Sequence, residues 1–332
     1  MLVVVVVASC LMCLQFNGFI PSRSRAAKEY ERRMSQHRTS SAAPEENKLQ
    51  HQHTITMLSS FVATRKLFVS SSSVSLFRRH ASFQKVGIVG LGLMGHGIAQ
   101  VAAQSGVHKK GIVAYEPEQS YLDSGKQRIE QSLQKLVTKQ KMTQDQATST
   151  LNSIDFTTDM QKLADTDLIV EAVIENMQLK QKLYTSLGEI CQESTIFASN
   201  TSSLSIAEMA HYSGRTDRFV GIHFFNPVQL MKLVEVIRTD ETSDDVFDQV
   251  CQWVKHDINK VPVSCKDTPG FIVNRLLVPS LLQAMLLVER ADASVADTDI
   301  SLQLGAGHPM GPLHLADYIG LDTILAIVQG WV

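Results

Sequence analysis

The sequence has almost no net charge, few cysteines and no apolar run long enough to cross a membrane. Its 31 Lys and Arg residues nearly balance 33 Asp and Glu residues, which leaves a formal net charge of -2. This balance gives no general attraction for nucleic acid or acidic membranes, so we expect a small-molecule partner and no nucleic acid. Five cysteines, odd in number and mostly far apart, argue against a disulfide framework.

The N-terminal region lacks the residues that a metal site or a membrane anchor would need. Cys10 and Cys13 have CxxC spacing, but no second Cys or His pair follows at a zinc-ligand distance, so we predict no metal. The run MLVVVVVASCLMCL lacks a basic n-region and is too short to span a bilayer comfortably. We therefore predict no stable membrane insertion.

The segment that begins at Met57 has no acidic residue. MLSSFVATRKLFVSSSSVSLFRRHASFQK combines Arg, Lys, Ser and large apolar residues, which is typical of a mitochondrial transit peptide. We predict that residues 57–84 are this peptide, that residues 1–56 are a disordered upstream extension, and that the mature protein lies in the mitochondrial matrix. A merely disordered basic tail is the alternative for 57–84, and a start at Met1 would favour the secretory route.

A dinucleotide-binding motif opens the folded part of the chain at Lys85. The short strand VGIV is followed by GLGLMG, which supplies G-x-G-x-x-G at Gly90, Gly92 and Gly95. These glycines are expected to permit the tight turn, the close approach of a pyrophosphate, and the packing of the next helix against the strand. An amphipathic helix and the strand GIVAY complete a βαβ unit.

Glu116 follows that second strand, where an acidic residue can bind the ribose hydroxyls of the cofactor. A carboxylate there would repel a 2′-phosphate, so NAD is favoured over NADP. Further strands, DLIVEAV and TIFASN, alternate with helices, which predicts a mostly parallel sheet. We predict an α/β chain with a Rossmann-type NAD-binding domain over 85–269 and an incomplete, all-helical C-terminal domain over 270–332.

Polar residues follow the strands of this predicted sheet. Glu175, Asn200, Ser202 and Ser203 all come just after a strand, and parallel sheets bind ligands at the carboxyl ends of their strands. Each is also common in ordinary loops and helix caps, so position alone leaves both interpretations open.

Two polar residues interrupt apolar strands in GIHFFNPVQLMKLVEVI. Alternation places His223 on one face of the strand RFVGIHFF, and Glu235 on one face of KLVEVI. The connection is short, so the strands can pair and the two side chains can meet. A buried carboxylate and a buried imidazole satisfy each other, and such a pair is a good proton acceptor. A structural pair or partial exposure remains open on pattern alone.

Two asparagines lie near the predicted site. Asn226, with Pro227, ends the strand that carries His223, and Asn274 lies in the first turns of a mostly apolar helix predicted from about Phe271 to Arg290, with a kink at Pro279. Asn274 can project into a cleft or be a solvated residue of the helix start.

Six motifs together resemble the L-3-hydroxyacyl-CoA dehydrogenase family, the mitochondrial short-chain enzymes of fatty-acid β-oxidation. They occur in order between Lys85 and Trp331: GLGLMGHGIAQ, EAVIEN, IFASNTSSLSI, HFFNPVQLMKLVEVI, CKDTPGFIVNRLLVP and LGAGHPMGPLHLADYIGLDT. The resemblance implies oxidation of an (S)-3-hydroxyacyl-CoA to the 3-ketoacyl-CoA with NAD as hydride acceptor, and it implies a homodimer.

The resemblance also implies a role for each matched residue. His223 is implied as the base that removes the 3-hydroxyl proton, and Glu235 as the carboxylate that orients it. The other implied active-site residues are Asn226, Asn274 and Ser202; the implied cofactor contacts are Gly90, Gly92, Gly95, Glu116, Glu175, Lys180, Ser202 and Asn226; the implied CoA contacts are Ser132, Lys139 and Ser202. Without the resemblance, Lys180 would be assigned as a solvated helix lysine.

The chain departs from the family pattern in three places. The loop VHKKGIV is a few residues longer and is expected to shift Glu116 slightly, and Glu116 itself stands where aspartate is more common. The chain stops at GWV, where the family continues with helices that complete the dimerisation domain and carry another cofactor-contacting lysine. The resemblance therefore predicts a C-terminally truncated enzyme.

Two other functions remain open. A related dehydrogenase of a free hydroxy acid or sugar acid would keep the fold and change the substrate, although the Ser132 and Lys139 matches argue against it. A truncated, non-catalytic isoform is the second alternative. It is motivated by Ile324, Leu325, Ile327 and Val328, which are predicted to lie in a helix deprived of later partners.

Overall fold

The computed structural model describes residues 83–331. The predicted upstream extension, all but the last two residues of the predicted transit peptide, and the Cys10 and Cys13 pair lie outside the described residues.

An eight-stranded sheet forms the centre of the described chain, in the order β3-β2-β1-β4-β5-β6-β7-β8. The strands are β1 Val86–Val89, β2 Ile112–Tyr115, β3 Ile154–Thr157, β4 Leu168–Glu171, β5 Ile196–Ser199, β6 Phe219–Phe224, β7 Leu233–Arg238 and β8 Val261–Lys266. β7 is antiparallel to β6, and every other neighbouring pair is parallel. The predicted Rossmann-type, mostly parallel sheet is confirmed.

Helices cover both faces of this sheet. They are α1 Gly95–Gln104, α2 Gln119–Thr138, α3 Gln144–Asn152, α4 Met177–Ile190, α5 Ile206–Tyr212, α6 Asp244–Gln252, α7 Val273–Glu289, α8 Val295–Ala306, α9 Pro312–Ile319 and α10 Leu321–Gln329. One core contains Ile88 together with Ile98 and Ile129, and the other contains Val89 together with Tyr184 and Leu187. Successive strand residues point to opposite faces, so both faces of β1 are buried.

The segment after β2 differs from the prediction. The sequence pattern predicts one long helix from about Asp123 through Met142, but α2 runs from Gln119 to Thr138, and Gln140 has a φ of 56°. The left-handed Gln140 ends the helix, and Lys139 is the C-cap residue that directly follows α2. Helix α3 and strands β3 and β8 were not predicted. α3 begins with a capping box in which Thr143 and Gln146 exchange hydrogen bonds.

The region after β8 is helical, as predicted. α7 begins at Val273 and contains Pro279, so it starts slightly later than expected. Of the apolar residues in the last helix, Ile324 and Val328 are buried, and Leu325 and Ile327 are half-buried. Within residues 83–331, none of the helices combines the length and the apolar composition needed to cross a membrane.

Candidate active site

The turn between β1 and α1 fits a dinucleotide in its backbone shape. Gly90 has a φ of +88°, and a β-carbon there would lie 2.9 Å from the Ala172 carbonyl oxygen. A β-carbon at Gly95 would collide with the Gly90 carbonyl, whereas one at Gly92 would meet nothing within 4 Å. Gly90 and Gly95 therefore permit the tight turn, and Gly92 leaves an open approach at the start of α1, where phosphate groups bind well.

Glu116 lies beside this turn. It follows β2, and its Oε2 accepts a hydrogen bond of 3.0 Å from the Leu91 backbone N–H. The longer loop between α1 and β2 therefore leaves the carboxylate in contact with the glycine turn. Its position at the carboxyl end of β2 is the one from which a Rossmann acidic residue binds ribose hydroxyls.

His223 and Glu235 are directly paired across the antiparallel strands β6 and β7. The His223 Nδ1 and the Glu235 Oε2 are 2.7 Å apart. Glu235 is fully buried, and His223 is only 8% exposed. The alternation of the two strands predicted that these side chains could meet, and the structure brings them together.

The second Glu235 oxygen is bound by the start of α7. Oε1 accepts hydrogen bonds from the Ile272 N–H at 3.1 Å and the Val273 N–H at 2.9 Å. Burial alone would raise the pKa of the Glu235 carboxyl, but the hydrogen bonds from His223, Val273 and Ile272 outweigh it and leave the pKa below its ordinary value. The carboxylate thus stays charged next to the imidazole.

Aromatic rings and one amide fix the surroundings of His223. The rings of Phe225 and Phe271 lie 4.5 Å and 5.8 Å from the imidazole, measured between ring centroids. Asn200, just after β5, accepts a hydrogen bond of 2.9 Å from the Phe224 N–H through its side-chain oxygen. The imidazole therefore lies beside two apolar rings at the carboxyl edge of the sheet.

Glu175 and Ser202, which follow β4 and β5, are in direct contact. The Glu175 Oε1 accepts hydrogen bonds from the Ser202 N–H at 2.8 Å and the Ser202 hydroxyl at 3.1 Å. Its Oε2 lies 3.2 Å from the Lys180 Nζ. Lys180 is fully buried, so its assignment from pattern alone as a solvated lysine is wrong.

Comparison with known proteins identifies the family. A protein-family model described as 3-hydroxyacyl-CoA dehydrogenase, NAD binding domain, matches residues 85–268. A second family model, described as 3-hydroxyacyl-CoA dehydrogenase, C-terminal domain, matches residues 270–332. The chain belongs to the 3-hydroxyacyl-CoA dehydrogenase family. The predicted family, the NAD cofactor and the classification as an NAD-dependent oxidoreductase acting on CH–OH are thereby confirmed.

Individual relatives show how far this similarity extends. The chain is 48% identical over 278 residues to the hydroxyacyl-coenzyme A dehydrogenase, mitochondrial, of Sus scrofa, which covers 81% of this chain and 87% of the relative. It is 48% identical over 268 residues to the Homo sapiens protein of the same name, covering 79% and 84%. The crystal structure of (S)-3-hydroxybutyryl-CoA dehydrogenase from Ralstonia eutropha has a TM-score of 0.72 and 41% identity, covering 75% and 87%.

The remaining residues implied by the family resemblance lie around this edge of the sheet or on α2. Asn226 is exposed two residues beyond β6, and Asn274 is the second residue of α7, next to the Val273 amide that binds Glu235. Ser132 is half-buried on α2, and Lys139 is exposed directly after this helix. The two are separated by about two helical turns, so they share one side of α2.

The sequence patterns did not lead us to one buried acidic residue near the site. Glu171, the last residue of β4, is fully buried and accepts hydrogen bonds from Lys180 at 2.8 Å and Ser199 at 2.6 Å. The signal was present, because an acidic residue within the apolar strand LIVE is the same anomaly that singled out Glu235.

Proposed function

We propose that this protein oxidises the 3-hydroxyl of an (S)-3-hydroxyacyl-CoA to the 3-ketone in fatty-acid β-oxidation, with NAD as hydride acceptor. The observation that carries the proposal is the contact of 2.7 Å between His223 and Glu235 at the same edge of the sheet as the glycine turn. A proton acceptor and a dinucleotide site at one edge are what removal of a hydrogen from a secondary alcohol requires.

His223 acts as the general base in this proposal. The Glu235 carboxylate accepts a hydrogen bond from the Nδ1–H, which leaves the lone pair of Nε2 to receive the 3-hydroxyl proton. As the imidazole becomes charged, Glu235 stabilises the imidazolium and keeps the ring in one orientation. The amides of Ile272 and Val273 hold the carboxylate in place while this happens.

The glycine turn would hold the cofactor. NAD, when bound, supplies the acceptor for the hydride that leaves C3 of the substrate. Gly90, Gly92 and Gly95 would shape the pyrophosphate site, and Glu116 would bind the ribose hydroxyls and disfavour a 2′-phosphate. Glu175, Ser202 and Asn226 complete the proposed cofactor contacts, and Lys180, which is fully buried, would act on the cofactor through Glu175.

The substrate roles are distributed between two regions. Near His223, we assign Asn226, Asn274 and Ser202 to orient the reacting groups, since each has a side chain that can hydrogen-bond to a carbonyl or hydroxyl oxygen. We assign Ser132, on α2, and Lys139, directly after it, to the CoA moiety. The exposed ammonium of Lys139 is suited to phosphate groups.

A paired assay tests the function. Purified protein should oxidise NADH in the presence of acetoacetyl-CoA and show no comparable rate with acetoacetate. Reduction of the free acid without reduction of the thioester would favour a free-acid dehydrogenase and contradict the proposal. NADH binding without turnover of either compound would favour the non-catalytic isoform.

We further propose that the protein is imported into the mitochondrial matrix with residues 57–84 as the transit peptide. The mitochondrial names of the Sus scrofa and Homo sapiens relatives support this location. A fluorescent reporter fused to residues 57–84 should accumulate in mitochondria, and a reporter fused to residues 1–56 should not. A cytosolic reporter in the first case would contradict the proposal.

A homodimer is proposed as the assembled form. Within the described residues, the helical region exposes large apolar side chains, among them Leu304 at 82% and Ile300 at 52% on α8. Covering such side chains with a second copy removes apolar surface from water. Sedimentation should give a dimer that Leu304→Glu weakens, whereas Tyr121→Glu, at an exposed aromatic residue on α2, should not weaken it. A monomeric wild-type protein would contradict the proposal.

A further inference from the structure

A fully buried carboxylate lies behind the proposed cofactor contacts. Glu171 ends β4, and its Oε1 accepts hydrogen bonds of 2.8 Å from the Lys180 Nζ and from the Val173 N–H. Its Oε2 accepts from the Ser199 hydroxyl at 2.6 Å and the Tyr184 hydroxyl at 3.1 Å. Four donors surround two oxygens, so this carboxylate has no open side for a ligand.

Lys180 connects this carboxylate to the surface. Its ammonium is fully buried, 2.8 Å from the Glu171 Oε1 and 3.2 Å from the Glu175 Oε2. Glu175 is partly exposed and binds the Ser202 N–H, the Ser202 hydroxyl and the Thr201 hydroxyl through its Oε1. Charges of alternating sign therefore run from the interior of the sheet to the Ser202 loop.

The electrostatics support a chain of charged groups. Burial would raise the pKa of the Glu175 carboxyl, but Lys180, Thr201 and Ser202 outweigh it and lower the pKa. Burial and the Glu171 carboxylate both raise the pKa of Tyr184, which keeps its hydroxyl protonated as a donor. Burying an ion pair is costly, and apolar side chains of similar volume often stabilise a fold equally well. Because Lys180 also pairs with Glu175, its buried charge can orient a residue near the surface.

We propose that Glu171 is a positioning residue for the dehydrogenase reaction. It fixes the Lys180 ammonium, the ammonium orients Glu175, and Glu175 sets the backbone and hydroxyl of Ser202 at the carboxyl edge of the sheet. Glu171 itself touches neither cofactor nor substrate. The inference rests on the proposed roles of Glu175 and Ser202.

Two substitutions at Glu171 separate charge from packing. Glu171→Gln keeps the shape and removes the charge, whereas Glu171→Asp keeps the charge and leaves a small void. A positioning charge predicts that kcat/KM for acetoacetyl-CoA and the affinity for NADH decrease in the order wild type, Asp, Gln, with the Gln variant lower by about tenfold or more, or about 1.4 kcal/mol. A purely structural role predicts the order wild type, Gln, Asp.

Tyr184→Phe is the matched control. It removes one neutral donor from the same carboxylate and leaves Lys180 unchanged, so kcat/KM should change by less than about twofold even where the melting temperature falls. If Glu171→Gln does not fold, the comparison is made with Glu171→Asp. An Asp variant that is no more impaired than Tyr184→Phe, or that loses more than about tenfold in kcat/KM although it keeps the charge, overturns the inference, and an intermediate loss supports it.

A double-mutant cycle tests the route through Lys180. If Glu171 acts through that ammonium, the Glu171→Gln and Lys180→Met double variant should lose no more kcat/KM than the more impaired single variant. Additive losses would overturn the inference. Wild-type turnover of acetoacetyl-CoA with a reversed Asp and Gln order refutes only the positioning role, whereas absence of wild-type turnover refutes the proposed function. The affinity for NADH gives the order of the Glu171→Asp and Glu171→Gln variants whether or not the wild type turns over acetoacetyl-CoA.

Discussion

The two sides of the candidate site are built in opposite ways. Around β1 and β2, the cofactor side is shaped by missing side chains, because a β-carbon at Gly95 would collide with the Gly90 carbonyl and one at Gly92 would meet nothing. Around β6 and β7, the chemical side is shaped by two charged groups, His223 and Glu235, whose contact is 2.7 Å. One side depends on backbone shape and the other on electrostatics.

This difference predicts that substitutions separate by the parameter they change. On the cofactor side they should weaken NADH binding and leave the chemical step intact. On the chemical side they should lower kcat with little effect on NADH affinity, since groups that act mainly in the transition state contribute little to ground-state binding.

The largest effect is expected for His223→Gln. Loss of a general base should lower kcat by about 10²–10⁴-fold, while the affinity for NADH stays within about twofold. Steady-state kinetics with acetoacetyl-CoA and fluorescence titration with NADH measure the two quantities. His308→Gln, at an exposed histidine before α9, is the matched control and should resemble wild type. Full activity of the His223 variant would refute the assignment of the base.

Glu235→Gln should have the next largest effect on turnover. The amide cannot stabilise the imidazolium as the carboxylate does, so kcat should fall by about 10–100-fold, less than for His223→Gln. The same change should lower the free energy of unfolding at neutral pH by about 2 kcal/mol, because a charged acceptor is lost from a fully buried site.

The pH dependence of this stability loss has a definite sign. The folded-state pKa of Glu235 is lowered, so its stabilisation is present above the ordinary carboxyl pKa and is lost as the pH falls through the folded-state value. Urea unfolding of wild type and Glu235→Gln should therefore differ most at neutral pH and converge in acid. Glu189→Gln, at an exposed carboxylate on α4, should show no such convergence. A difference that is constant across pH would contradict the assignment.

Gly92→Ala and Gly95→Ala form a matched pair on the cofactor side. Gly92→Ala should leave the free energy of unfolding within about 0.5 kcal/mol of wild type and weaken NADH binding by about tenfold or more, because the methyl group stands in the open approach. Gly95→Ala should destabilise the fold by about 3 kcal/mol, since its methyl group meets the Gly90 carbonyl. Equal stability losses in the two variants would contradict this distinction.

Sequence patterns predicted the cofactor side and the His–Glu contact because both depend on local rules. The glycine spacing follows from a tight turn before a helix, and the His223–Glu235 pairing follows from alternation in two strands with a short connection. The end of α2 was missed because the left-handed Gln140 has no glycine to mark it. Strand β8 was missed because it is an exposed edge strand whose residues do not alternate clearly.

The buried charges on the β4 side show where pattern reasoning ends. Lys180 looked like a solvated lysine because α4 carries several polar residues, and only the fold shows that its ammonium points at Glu171 and Glu175. The partners lie on a strand and in the following loop, so no spacing within α4 indicates them. An acidic residue in the apolar strand β4 was the available signal.

The smallest change in turnover is expected at Glu116, a charged residue on the side of the site that otherwise depends on backbone shape. Its carboxylate is a charge on the cofactor side, and it accepts a hydrogen bond from the Leu91 amide. Glu116→Gln keeps an acceptor for that amide and removes the charge that repels a 2′-phosphate. Discrimination against NADPH should therefore fall by about tenfold, while kcat with NADH stays within about twofold. Initial rates with both nucleotides measure the change, and Glu118→Gln, at the exposed neighbouring carboxylate, is the control. Unchanged discrimination would mean that the shape of the turn, and not the charge of Glu116, selects the cofactor.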